Sequence, residues 1–220
     1  MPSPHIPTYR KYVNAFREFD YVGMEDTYLT FADSVGVFPD VSYLLYSFVA
    51  SPNVKTVVEI GAGMSTCVLG HAAAKYGKLF TVVESSSVWV AHVSKALLAC
   101  GVPVPEIINT DGLDKPPVLP MPIDFMWVDG CILPDPTNML KRIDGVLHYK
   151  EDLQDAILCF DDAQYLKEDI ARLRDRFPLK DRSECWYNPT DRWDRHVFIS
   201  VPDSKKFALD IVSQCLGVYV

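Results

Sequence analysis

Six carboxylates stand where apolar runs end in this chain: Glu59, Glu84, Asp111, Asp129 and the adjacent pair Asp161-Asp162. Carboxylate oxygens accept hydrogen bonds from ribose hydroxyls and ammonium groups, and they ligate hard divalent cations. The first acid opens the stretch Glu59-Ile60-Gly61-Ala62-Gly63-Met64-Ser65-Thr66. Gly61 and Gly63 have no Cβ, so a ligand can approach the backbone there. As a dinucleotide fingerprint the pattern is incomplete, because Thr66 holds the third glycine position. Glu84 closes the next apolar run, at the distance where an acid is placed for ribose hydroxyls.

The elements that must carry these acids alternate. A buried strand before Gly61 leads to a helix capped by Ser65 that runs to Tyr76, with Gly77 to stop it. Leu79 to Val83 reads as a second strand. Ser85, Ser86 or Ser87 then caps a helix to Ala99, closed by Cys100-Gly101. Strands follow at Val104 to Ile108, Ile123 to Val128 and Ala156 to Phe160, and the proline-rich stretch Lys115 to Pro122 reads as a loop. Asp135 to Ile143 predicts a short helix, Gly145 to Leu147 is ambiguous, and Ala163 to Arg176 predicts a longer helix that Asp162 can cap. Ser183 to Tyr187 and Arg195 to Val201 pair as antiparallel strands before a last helix, Asp203 to Leu216. The expected fold is therefore α/β: a Rossmann-like sheet with helices on both faces and antiparallel strands at the C-terminal end. Residues 1–50 read as an N-terminal helical cap, with helices over Tyr9 to Phe19 and Val41 to Val49 and a candidate lid at Tyr21 to Phe31. Residues 51–220 read as the sheet domain. Ligands of such sheets bind beyond the carboxyl ends of the strands, where all six acids fall.

Hydrophobic residues at 49% and charged residues at 23% are incompatible with global disorder. A formal charge of −8 argues against broad binding to nucleic acid or anionic membranes, though not against a local basic site. The N-terminus lacks an apolar signal region and no run approaches about 18 apolar residues, so neither a secretory signal nor a membrane span is expected. Cys67, Cys100, Cys131, Cys159, Cys185 and Cys215 are widely spaced with no Cys-x-x-Cys pair, and read as buried free thiols of a cytoplasmic protein. His71 and His92 fall inside helices and read as structural. His148 follows the Asp129 strand and is the candidate base or substrate contact, while His196 begins a strand. No histidine forms a zinc pattern with the cysteines. Trp186-Tyr187 and Trp193 suit a substrate pocket, a dimer surface or plain core packing.

The segments Val57-Val58-Glu59-Ile60-Gly61-Ala62-Gly63, Phe80-Thr81-Val82-Val83-Glu84, Phe125-Met126-Trp127-Val128-Asp129-Gly130 and Leu158-Cys159-Phe160-Asp161-Asp162 together resemble a class I S-adenosylmethionine-dependent methyltransferase. The resemblance covers roughly residues 39–201 and is nearest to small-molecule O-methyltransferases of the catechol and macrocin type. It implies that Gly61 and Gly63 border the methionine part of the cofactor and that Glu59 supports its amino group. It places Glu84 on the ribose hydroxyls, Asp111 near the adenine, and Asp129 among both the cofactor-binding and the catalytic residues. It further implies Mg2+ held by Asp129, Asp161 and Asp162, positioning a substrate hydroxyl for in-line attack on the methyl group. This chain departs from that pattern twice. Asp162 stands where the catechol enzymes carry Asn, and Ile132 stands where they carry a lysine base. A metal-free enzyme whose acids cap loops and helices is the competing reading.

The expected partner is a small-molecule methyl acceptor, and the N-terminal segment can either cover it or bury a homodimer interface. Two other functions share the fold: an NAD-dependent oxidoreductase, because a helix N-terminus stands behind Gly63, and a noncatalytic binding or assembly protein.

Overall fold

The computed structural model describes residues 39–130, 141–168, 170–171, 181–188 and 196–217. Its elements in chain order are α1 (Pro39–Ala50), β1 (Thr56–Ile60), α2 (Met64–Tyr76), β2 (Leu79–Glu84), α3 (Ser87–Cys100) and β3 (Glu106–Asn109). They continue with β4 (Phe125–Val128), α4 (Lys141–Leu147), β5 (Ile157–Phe160), β6 (Arg182–Tyr187), β7 (Val197–Pro202) and α5 (Phe207–Leu216). The seven strands form one sheet in the order β3-β2-β1-β4-β5-β7-β6. β1 to β5 run parallel, whereas β7 lies antiparallel to both β5 and β6. The expected α/β sheet with antiparallel C-terminal strands is what the chain forms.

β1 and β4 are buried at every position, which is why both read as unbroken apolar runs. Strand alternation sends Val57, Trp127 and Cys159 to one face, where α1, α2, α3 and α5 cover them. Val58, Met126, Leu158 and Phe160 go to the other face, where Ile143 and Val146 of α4 meet them together with Tyr149, Leu153, Leu166 and Ile170. At the amino-terminal edge Asp124 ties three elements together. Its Oδ2 accepts the Lys55 and Thr56 N–H groups at 2.8 and 3.1 Å, and its Oδ1 accepts Lys205 Nζ at 2.6 Å. Burial opposes the charge on Asp124, yet these donors hold its carboxyl below the ordinary carboxylate range.

Several boundaries shift. α2 starts at Met64 with Gly63 as its N-cap, so Ser65 is not the cap but lies inside the first turn. Of the three serines before α3, Ser86 caps it, accepting the Trp89 N–H at 3.2 Å. α4 includes Gly145 to Leu147. Ala163–Tyr165 is a 3-10 turn, not the start of a regular helix. Asp162 precedes it in a left-handed conformation (φ 52°) and makes no side-chain cap. The chain is helical again at 167–168 and 170–171. A second 3-10 turn, Asp203–Lys205, precedes α5. The expected helix Tyr9 to Phe19, the lid Tyr21 to Phe31, most of the short helix from Asp135 and the end of the long helix at Arg176 lie outside the described residues. Among the described residues, no helix is long and apolar enough to cross a membrane.

Candidate functional site

The sheet changes direction of winding between β1 and β4, its two central parallel strands. In open α/β sheets the crevice beyond the carboxyl ends of such strands is where ligands bind. The β1–α2 turn and the end of β4 meet there. Gly61 has a left-handed φ of 88°, and a Cβ on it would lie 2.5 Å from the Gly130 nitrogen. A Cβ on Gly130 would in turn lie 2.5 Å from the Gly61 Cα. The two glycines therefore permit backbone-to-backbone contact at the switch point. Gly63 differs: its φ of −172° is ordinary extended backbone, and the nearest atom to an added Cβ is Ser65 Oγ at 3.9 Å. Of the two turn glycines, Gly63 leaves space for a ligand and Gly61 fills its space with β4.

The hydrogen bonds of the turn are spent internally. The Gly61 N–H donates to Val83 O at 2.8 Å, Ala62 N–H to Glu84 Oε2 at 2.8 Å, and Gly63 N–H to Thr66 Oγ1 at 2.8 Å. Glu84, at the end of β2, also accepts the Ser86 N–H on Oε1 at 2.8 Å. Burial raises its carboxyl above the ordinary value, while the backbone donors of Ala62, Ser86 and Ser85 act in the opposite direction.

Glu59 is wholly buried at the end of β1. Its Oε1 accepts the Ser65 hydroxyl, whereas Oε2 is buried with no hydrogen-bond partner in the structure. Its register neighbour on β4 is Trp127, whose indole Nε1 is likewise buried without a partner. Burial pushes the Glu59 carboxyl up to about 8; Ser65 and Thr66 pull it down, and the nearby charges of Asp129 and Glu84 push it further up. An acceptor this deep, facing the turn and lacking one bond, is set to receive a donor.

Asp129 follows β4, half-exposed, with its N–H on Ile60 O at 2.8 Å. Asp111 is exposed beyond β3 and accepts the Ser87 hydroxyl at 3.1 Å, while Thr110 beside it bonds Glu84 O through its N–H at 3.0 Å. Glu59, Gly61, Gly63, Glu84, Asp111 and Asp129 therefore share one edge of the sheet. Asp161 and Asp162 join that edge after β5. Asp161 is nearly buried and accepts the Asp162 N–H on Oδ1 at 2.9 Å, and Asp162 Oδ1 takes Gln164 Nε2 at 3.4 Å. Among the described residues, no three His, Cys, Asp or Glu side chains converge as a metal ion requires. Asp129, Asp161 and Asp162 share the edge without forming such a group.

His148 is exposed after α4, its ring 5.0 Å from that of Tyr149. The chain from His148 leads on to the amino-terminal end of β5 at Ile157. The His196 N–H donates to Gln164 Oε1 at 2.7 Å, and the His196 carbonyl accepts the Ala163 N–H at 2.8 Å. Trp186 is exposed, with its ring 5.0 Å from that of Phe198, while Trp193 lies outside the described residues. Cys67, Cys100 and Cys159 are buried and in no disulfide; Cys185 and Cys215 are half-buried, and Cys131 lies outside the described residues.

Four residues take part in ways that the sequence did not show. Ser65 and Thr66 serve Glu59 and Gly63, although Ser65 read as a cap. Gly130 was visible as Asp129-Gly130, and its meaning needed the Gly61 contact. Trp89 sits 27 positions from its partner Ala62, whose carbonyl accepts the indole N–H.

No family model matches the chain, and no curated protein does either. Solved structures do. An O-methyltransferase from Bacillus cereus in complex with SAH superposes with a TM-score of 0.58 at 15% identity, covering 91% of this chain and 93% of that one. Cofactor-bound Rv0187 from MTB gives 0.58 at 17% identity, covering 86% and 95%. SAH-bound PaMTH1, a methyltransferase from Podospora anserina, gives 0.56 at 15% identity, covering 88% and 86%. At this identity the likeness is one of fold: the chain has the class I methyltransferase architecture.

Proposed function

We propose that the protein transfers a methyl group from S-adenosylmethionine to a hydroxyl of a small molecule. The observation that carries the reading is the buried Glu59 Oε2, without a hydrogen-bond partner beside a glycine turn. A carboxylate there suits the ammonium of an amino-acid moiety, and Glu84 suits ribose hydroxyls through lone pairs that Ala62 and Ser86 leave unused. Asp111, beyond β3, is the proposed adenine-side residue. S-adenosylmethionine would supply an electrophilic methyl group on its sulfonium. The contribution of this chain is placement: it fixes the turn, holds acceptors for a cationic ligand and orients the two reactants. The matching folds with bound SAH support the choice of cofactor.

The same turn weighs against a dinucleotide. A diphosphate is held by free N–H groups at a helix N-terminus. Here the N–H groups of residues 61–63 are all engaged, and two buried carboxylates lie alongside. A diphosphate would find no free N–H at these three residues, whereas ammonium and hydroxyl donors meet acceptors.

Calorimetric titration with S-adenosylhomocysteine, in Mg2+ and in EDTA, tests this. Saturable 1:1 binding of equal strength in both is the expected outcome. Binding that needs Mg2+ would restore Asp129, Asp161 and Asp162 as a metal set. Binding of NAD in place of S-adenosylhomocysteine would overturn the proposal, and product fragmentation showing a methylated nitrogen would overturn the hydroxyl assignment.

A further inference from the structure

The β1–α2 turn and the β2–α3 link are joined by a closed ring of four hydrogen bonds. Ala62 N–H donates to Glu84 Oε2 at 2.8 Å. The Trp89 indole N–H donates to the Ala62 carbonyl. The Trp89 backbone N–H donates to Ser86 Oγ at 3.2 Å, and Ser86 N–H returns to Glu84 Oε1 at 2.8 Å. Both polar groups of Ala62 and both oxygens of Glu84 are thus members of one circuit. Trp89 is half-buried and packs its apolar body on the core cluster of α2 and α3, so its N–H is delivered from a braced ring.

We infer that Trp89 is a positioning residue for the cofactor: its indole N–H closes the ring that orients the Glu84 carboxylate and holds the glycine turn. This rests on the proposed methyl-transfer reading only for the identity of the ligand. Without the indole donor, the Ala62 carbonyl loses a partner and the turn is free to rotate. Glu84 then loses the fixed geometry in which its remaining lone pairs face a ribose.

Trp89→Phe keeps the aromatic body and removes the N–H. The loss of one hydrogen bond corresponds to roughly three- to tenfold in an equilibrium. Two readouts follow in the full chain. Amide exchange at Ala62 quickens by about that factor against the Leu158 amide of β5, with the melting midpoint close to wild type. The Kd for S-adenosylhomocysteine rises by a similar factor. Ser86→Ala, at an exposed position, breaks the same ring without touching the core and should also quicken Ala62 exchange. Wild-type affinity in Trp89→Phe would overturn the positioning role. Unchanged Ala62 protection in both variants would overturn the ring itself. If the wild-type protein does not bind S-adenosylhomocysteine, the cofactor reading fails separately, and Ala62 exchange alone decides for or against the ring.

Discussion

At the scale of single residues, Glu59 holds the clearest consequence. Its carboxyl titrates near 8 in the folded chain, mainly because burial disfavours the charge, against about 4.3 in an unfolded one. Between those values the folded state binds the extra proton, so stability is greatest below the unfolded value and falls as pH rises towards 8. Melting midpoints of wild type should therefore decline across that window, and Glu59→Gln should flatten the decline. If Glu59 receives the cofactor ammonium, it does so ionised, and affinity for S-adenosylhomocysteine should rise from pH 6 to 8 in wild type but not in Glu59→Gln. The acids at this edge were legible because each ends an apolar run, and strand ends are where such residues collect. What a residue donates to was not legible. Ser65 has the chemistry of a cap, yet Gly63 takes that position and the Ser65 hydroxyl turns to Glu59.

Elements set the second scale. Strand order cannot be read from alternation alone, and the pairing of β1 with β4 across the switch point creates the Gly61–Gly130 contact. Gly130→Ala forces a Cβ against the Gly61 backbone and should cost about 1–3 kcal/mol in urea denaturation, as overpacking does. Asp124 provides a second test, joining β1, the start of β4 and the Asp203–Lys205 turn. Asp124→Ala leaves the Lys205 ammonium without that carboxylate and should cost roughly 1.5–3 kcal/mol. Helix ends were legible at Gly77 and Gly101, where glycine adopts a left-handed conformation and closes the turn. The segment after Asp162 was not. Its apolar spacing suggested one helix from Ala163, whereas the chain forms a 3-10 turn there, tied by the Ala163 N–H to His196 O at 2.8 Å. A tertiary bond of that kind has no local signature.

Across the whole molecule, the expectation of α/β layering held because apolar runs and helical periods alternate along most of the chain. The burial of α1 was legible in its aromatic and aliphatic residues: Leu44, Leu45, Phe48 and Val49 are fully buried in the same core as β1 and β4. Phe48 lies with its ring 5.2 Å from that of Phe125. Phe48→Ala should lower global stability by about 3–5 kcal/mol, as truncation in a shared core does; a loss confined to an independent cap would leave the sheet transition unchanged. The Gly61–Gly130 seam then has a mechanical meaning. Two strand ends touching through backbone alone have no side chain between them to rotate or compress. They behave as one rigid jamb. The facing link from Glu84 to Trp89 is held instead by hydrogen bonds, which can break one at a time without parting the sheet.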